Sequence, residues 1–148
     1  MSPDFSGLLR EFNANEVEYL VVGAHALAAH GHVRATKDLD VWVRPSSENA
    51  TRVMQALSAF GAPSADLTEG DLTRPGTIFQ IGVPPLRIDV LTAIDGVEFS
   101  EAWTRKFEGR FGDVPAFVLS RSDLIKNKKA AGRLQDLADA EALETAIG

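Results

Sequence analysis

Thr36-Lys37-Asp38-Leu39-Asp40-Val41-Trp42-Val43 places two aspartates, one residue apart, at the head of a β-branched run. Such a run favours a strand, and a strand alternates its side chains between two faces. Asp38, Asp40 and Trp42 therefore share one face, and Leu39, Val41 and Val43 the other. Two carboxylates side by side at a strand start repel each other, and ordinary folding has no use for that. A hard divalent cation held between them removes the repulsion.

The flanking sequence sets this strand in an alternation of helices and strands. Phe5, Leu8, Leu9 and Phe12 recur at helical spacing and predict an amphipathic helix over about 4–13. Glu18 to Val22 reads as a compact strand ending at Gly23, and the alanine-rich stretch 24–30 as a helix stopped by Gly31. Downstream, Pro45 ends the aspartate strand, because proline cannot donate to a ladder. Ser46 or Ser47 caps a helix running to about Phe60, with Val53, Met54, Leu57 and Phe60 as its buried stripe. Residues 61–75 are polar, rich in turn formers, and read as a surface loop.

Strands are expected over 77–83 and 86–91, with Pro84-Pro85 as a tight connection between them. A short helix follows at 99–104, then strands over 106–111 and 114–119 joined at Gly112-Asp113. Ser120 and Asp123 resemble a capping box that opens a C-terminal helix, broken near Gly132 and resumed over 134–146. The pattern is α/β (α+β): a small mixed β-sheet flanked by helices. With 148 residues, no repeat and no linker, it reads as one domain over 1–148, a core of about 16–119 and a C-terminal helical segment of about 120–148.

Apolar residues at 45% and charged residues at 24% exclude disorder as the main state. The absence of cysteine excludes disulfides and thiolate metal sites. The longest apolar run, Leu20 to Ala29, is too short to cross a bilayer, and the N-terminus has no basic region of a signal peptide. A cytoplasmic protein with no membrane partner is the expectation. A net charge of −6 argues against a wide basic surface for nucleic acid.

Four groups of residues could carry chemistry. Arg87 and Asp89 share one face of a later strand, and Asp89 becomes a third carboxylate if that strand lies beside Asp38 and Asp40. Three such oxygens form the protein half of a magnesium site; otherwise Asp89 is a solvated residue or an ion-pair partner of Arg87. Gly23 and Ala24 stand at a strand-to-helix junction, where backbone N–H groups can meet a phosphate; otherwise Gly23 is a plain turn residue. In the loop 30–37, Arg34 lies four residues before Asp38 and could reach a triphosphate. His25, His30 and His32 are spaced poorly for zinc, and a non-metal role is favoured for all three. Last, Lys126, Lys128, Lys129 and Arg133 make a dense basic patch before Asp136 and Asp139. Lys128 and Arg133 could neutralise substrate phosphates, or the patch is a solvated helix face with pairs such as Arg133 to Asp136.

Together these residues resemble the nucleotidyltransferase superfamily that includes DNA polymerase beta. There a Gly-Gly or Gly-Ser turn precedes a short helix and an Asp-x-Asp strand, and a later strand supplies a third carboxylate. Here the matching residues are Gly23-Ala24, Asp38-Leu39-Asp40 and Asp89. Over nearly the whole chain, Tyr19 to Gly23, Gly31 to Val43, Arg87 to Leu91 and Ser120 to Arg133 with Asp136 are similar to small stand-alone nucleotidyltransferases. These neighbour the abortive-infection type toxin components, whose site is joined by a C-terminal lysine and aspartate.

The resemblance implies transfer of a nucleoside monophosphate from a nucleoside triphosphate such as ATP to a hydroxyl. It implies magnesium, or manganese in its place, held by Asp38, Asp40 and Asp89. Gly23, Ala24, Arg34, Thr36, Lys128 and Arg133 would bind the nucleotide. The acceptor could be an RNA 3′ end, a protein or a small molecule such as an aminoglycoside, and a cognate antitoxin or toxin could be the partner. Ala24 departs from the pattern by removing a hydroxyl that binds phosphate in Gly-Ser members. The alternative is therefore a catalytically weakened nucleotide-binding or antitoxin-like module of the same fold.

Overall fold

A computed structural model of the chain describes residues 3–33, 38–82 and 87–145. In chain order the elements are α1 (Pro3–Ala14), β1 (Tyr19–Val22), α2 (Gly23–Ala29), β2 (Asp38–Val43), α3 (Ser47–Phe60), α4 (Glu69–Thr73) and β3 (Ile78–Ile81). They continue with β4 (Arg87–Leu91), α5 (Phe99–Thr104), β5 (Phe107–Phe111), β6 (Val114–Val118), α6 (Arg121–Ala131) and α7 (Leu134–Thr145). The Pro84-Pro85 connection and Ala146 lie outside the described residues.

The strands form one mixed sheet in the order β3-β4-β2-β1-β6-β5. β1 runs antiparallel to β2 and parallel to β6, while β2 runs parallel to β4. β1 is buried along its whole length, which is why Tyr-Leu-Val-Val reads as a continuous apolar run rather than an alternating one. Its covering includes α1, whose Phe5, Leu8, Leu9 and Phe12 line one helical face and are all buried. Truncating a fully buried leucine such as Leu8 costs about 2–5 kcal/mol.

α1 ends where Val17 N–H donates to the Phe12 carbonyl at 2.9 Å, with Glu16 in the left-handed region at φ 56. α3 begins as expected: the Ser46 hydroxyl accepts from Asn49 N–H at 3.2 Å. Val53 and Leu57 are buried, and Met54 and Phe60 pack partly against the core.

Two expectations are corrected. Residues 61–75 are not wholly loop, because Thr68 and Asp71 cap each other reciprocally and start α4, which buries Leu72. At α6, the Ser120 hydroxyl accepts from Asp123 N–H, but the Asp123 carboxylate does not complete the box. It takes both arms of the Arg105 guanidinium instead, at 3.0 and 2.9 Å, since a bidentate charged pair outcompetes one backbone N–H.

Candidate active site

The head of β2 lies between the end of β1 and the head of β4. Asp40 pairs with Val22 on one side and Asp89 on the other, and Asp38 pairs with Arg87. In parallel neighbours in register, side chains of paired residues point to the same face, so Asp38, Asp40 and Asp89 converge. The condition set by the sequence, that the Asp89 strand lie beside the aspartate strand, is met.

Gly23 follows β1 and turns the chain into α2 at φ 68. A Cβ at this position would lie 2.4 Å from Asp40 Oδ2. Glycine is thus required twice, by the dihedral and by the approach of the carboxylate. Val22 is the N-cap of α2 and provides no side-chain hydrogen bond, so no side chain caps the first turn containing Ala24.

Charge crowding shows in the titration of the pair. Burial, the carboxylates of Asp89 and Asp38, and a hydrogen bond shared with Asp89 push Asp40 up to about 6. Lys128 pulls it back. Burial also raises Asp89, against the opposing pull of Arg87. The Asp40–Asp89 pair therefore holds a proton more readily than an isolated carboxylate does.

Arg87 is the residue whose part sequence reasoning underestimated. Its Nη2 donates to Asp38 Oδ2 at 3.1 Å, and its Nε lies 3.5 Å from Asp89 Oδ1. Neither Nε nor that oxygen is hydrogen-bonded, although both are buried. Among the described residues no group of three or more histidine, aspartate and glutamate side chains is gathered to hold a metal ion. The guanidinium bridges Asp38 and Asp89. The donor set nevertheless fits a hard divalent cation: three carboxylates on one face, one buried oxygen lacking a hydrogen bond, and a proton-binding bias that a cation reverses.

The fourth group of sequence candidates divides. α6 reaches the site because Gly96, in the turn after β4, packs directly beneath it; a Cβ there would lie 2.6 Å from the Ala130 methyl. Lys128 is buried, its ammonium 3.4 Å from Asp136 Oδ1 and 3.3 Å from Asp139 Oδ2. It is not part of a solvated face. Gln135 steadies Asp139 through a 2.9 Å hydrogen bond. Arg133 donates to Asp136 at 2.6 and 3.2 Å across α7's first turn and is 80% exposed, as the helix-face reading expects. The lysine's burial was hidden because its partners lie eight and eleven residues on, past the Gly132 break, where no helical periodicity links them.

Arg34 and Thr36 lie outside the described residues. Among the histidines, the His30 imidazole meets the Leu119 carbonyl at 2.8 Å, and His25 packs edge-on against Phe5 and Phe111. His32 is half-buried beyond α2.

No protein-family model matches the sequence, and no curated protein sequence matches it. Solved structures do match. The solution structure of antibiotic-resistance factor ANT(2'')-Ia aligns with TM-score 0.63 at 14% identity, over 98% of this chain and 83% of that one. A putative nucleotidyltransferase, TM1012 from Thermotoga maritima, aligns with TM-score 0.62 at 14% identity, over 97% and 89%. The lincosamide antibiotic adenylyltransferase LnuA aligns with TM-score 0.58 at 12% identity, over 98% and 97%. Likeness at such low identity defines the class by its fold: a nucleotidyltransferase fold, with a mixed sheet and C-terminal helices. No helix among the described residues is long and apolar enough to cross a membrane.

Proposed function

We propose that this protein is a magnesium-dependent nucleotidyltransferase, working in the cytoplasm on a nucleoside triphosphate such as ATP. One observation carries the reading: Asp89 stands in register beside Asp40, on the face that Asp38 shares, against the Gly23 turn. Asp38, Asp40 and Asp89 would hold the cation. Bound there, it supplies neutralisation of triphosphate charge and a lower pKa for the attacking hydroxyl.

The residues of the chain account for the rest. The glycine turn brings the N–H groups of Gly23 and Ala24 toward the phosphates. Lys128, held rigidly between Asp136 and Asp139, presents a fixed positive charge to them, and Arg133 and Arg34 would add theirs. Asp89, its proton affinity raised by burial, accepts the acceptor's hydroxyl proton. The acceptor oxygen then forms a bond to the α-phosphorus, the bond from that phosphorus to the bridging oxygen breaks, and pyrophosphate leaves.

A small-molecule hydroxyl is the favoured acceptor. One similar structure is described as ANT(2'')-Ia in complex with adenylyl-2''-tobramycin, and LnuA is described as lincomycin-bound. The net charge of −6 is unfavourable for an RNA acceptor. The toxin–antitoxin setting rests on resemblance alone and forms no part of the proposal.

The test is a transfer assay with labelled ATP, magnesium, aminoglycosides and lincosamides, and total cell RNA and protein in parallel. Transfer to a small-molecule hydroxyl that is abolished in Asp38→Ala and Asp40→Ala is the expected result. Transfer surviving both substitutions overturns the site. Magnesium-dependent ATP binding without transfer to any acceptor would establish the weakened nucleotide-binding module in its place.

A further inference from the structure

At the end of β1 opposite Gly23, a cavity of about 460 Å³ opens between the C-terminus of α1, α5 and the β5–β6 edge of the sheet. Its size is that of a small-molecule pocket. Trp103, Phe117, Pro115, Ala116 and Val17 form an apolar wall, and Glu16, Glu18 and Glu108 are the charged residues lining it. None of the lining residues is basic. Glu18 is paired with Arg44. Glu16 and Glu108 are exposed, and neither has an ion-pair partner among the described residues.

The same two rings already hold an ammonium. Lys106, which does not line the cavity, places its Nζ 4.3 Å from the Trp103 ring centre and 5.4 Å from that of Phe117. It also donates to the Trp103 carbonyl at 3.3 Å. Trp103 and Phe117 meet edge to face at 5.2 Å, and although Phe99 and Tyr19 also pack against them, both stay half-buried where they line the cavity. Aromatic faces with carboxylates at the rim attract organic cations and repel phosphates.

From this juxtaposition of aromatic wall, unpaired glutamates and demonstrated ammonium contact, we infer that the cavity is a second binding site, for a small organic ammonium ion with an apolar body. Its apolar part covers Trp103, Phe117 and Pro115, and its charged head lies toward Glu16 and Glu108. The site is separate from the aspartate cluster and does not depend on the reading of that cluster.

The probe is phenethylammonium, with 2-phenylethanol as its neutral counterpart, titrated into the whole protein and followed by two-dimensional NMR. Only two indole N–H signals exist, from Trp42 and Trp103, so the Trp103 signal reports on the cavity directly. The expected result is saturable movement of the Trp103 indole and the Glu16, Glu108 and Ala116 amides. The alcohol, or the exposed substitutions Glu16→Gln with Glu108→Gln, weakens binding about five- to tenfold. Asp40→Asn leaves it unchanged. No movement of these signals overturns the inference, as does equal binding of the alcohol or loss of the shifts in Asp40→Asn.

Discussion

The Arg87 guanidinium reaches across from β4 to Asp38 on β2, at 3.1 Å, while its Nε stays 3.5 Å from Asp89 on its own strand. One positive side chain thus supplies part of the charge balance that a divalent cation would supply. It holds a carboxylate cluster together that would otherwise spread.

Replacing that charge separates its two effects. Arg87→Gln removes the guanidinium that bridges Asp38 and Asp89, so the metal-free protein should lose about 1–2 kcal/mol in urea denaturation. Magnesium or manganese then meets no competing guanidinium and should bind several-fold more tightly by isothermal titration. Unchanged cation affinity in this variant would show that Arg87 does not compete for the carboxylates.

Gly23→Ala tests the turn. The new methyl must displace Asp40, and φ 68 adds about 1–2 kcal/mol of backbone strain for a non-glycine residue. The variant should be destabilised by at least that amount in thermal or urea unfolding and should lose transfer activity. A fully stable and active Gly23→Ala protein is incompatible with the contact.

The pH dependence has a definite sign. Asp40 is raised to about 6 from an ordinary value near 3.8, so folding favours its protonated form. Metal-free protein should therefore be most stable at the acid end of this window and lose stability as the pH rises from about 4 to about 6, then level off. Melting curves in chelator should show this slope, and Asp40→Asn should flatten it. Cation affinity should rise across the same interval, because proton and metal compete for one carboxylate.

Lys128 should prove structural as well as functional. Lys128→Met takes the buried ammonium away from both Asp136 and Asp139, and should cost about 3 kcal/mol in denaturant titrations. Adding Asp139→Asn should recover part of that stability without restoring transfer. Stability equal to that of the parent protein in Lys128→Met would contradict the buried bridge.

Local rules were enough to locate most elements. Phe5, Leu8, Leu9 and Phe12 betrayed α1 by spacing, Ser46 and Ser120 marked helix starts, and Gly132 marked the break between α6 and α7. α4 escaped because five residues carry too short a period to stand out from a polar stretch. Its capping pair, Thr68 and Asp71, was visible in the sequence but weak evidence beside so many turn formers.

Within the site the division follows the range of the forces. Asp38 and Asp40 share a face because of the two-residue period of a strand, a local property that the sequence determined by itself. So did the pairing of Arg87 with Asp89 on one face, and that of Arg133 with Asp136 along a helix. Only the tertiary structure decided that β4 lies parallel to β2 with Asp89 opposite Asp40, that Arg87 reaches Asp38, and that Gly23 must yield space to a carboxylate. It alone also buried Lys128 between two aspartates beyond a helix break. Strand order, register and the burial of charge arise from packing between segments distant in the chain, and no local period encodes them.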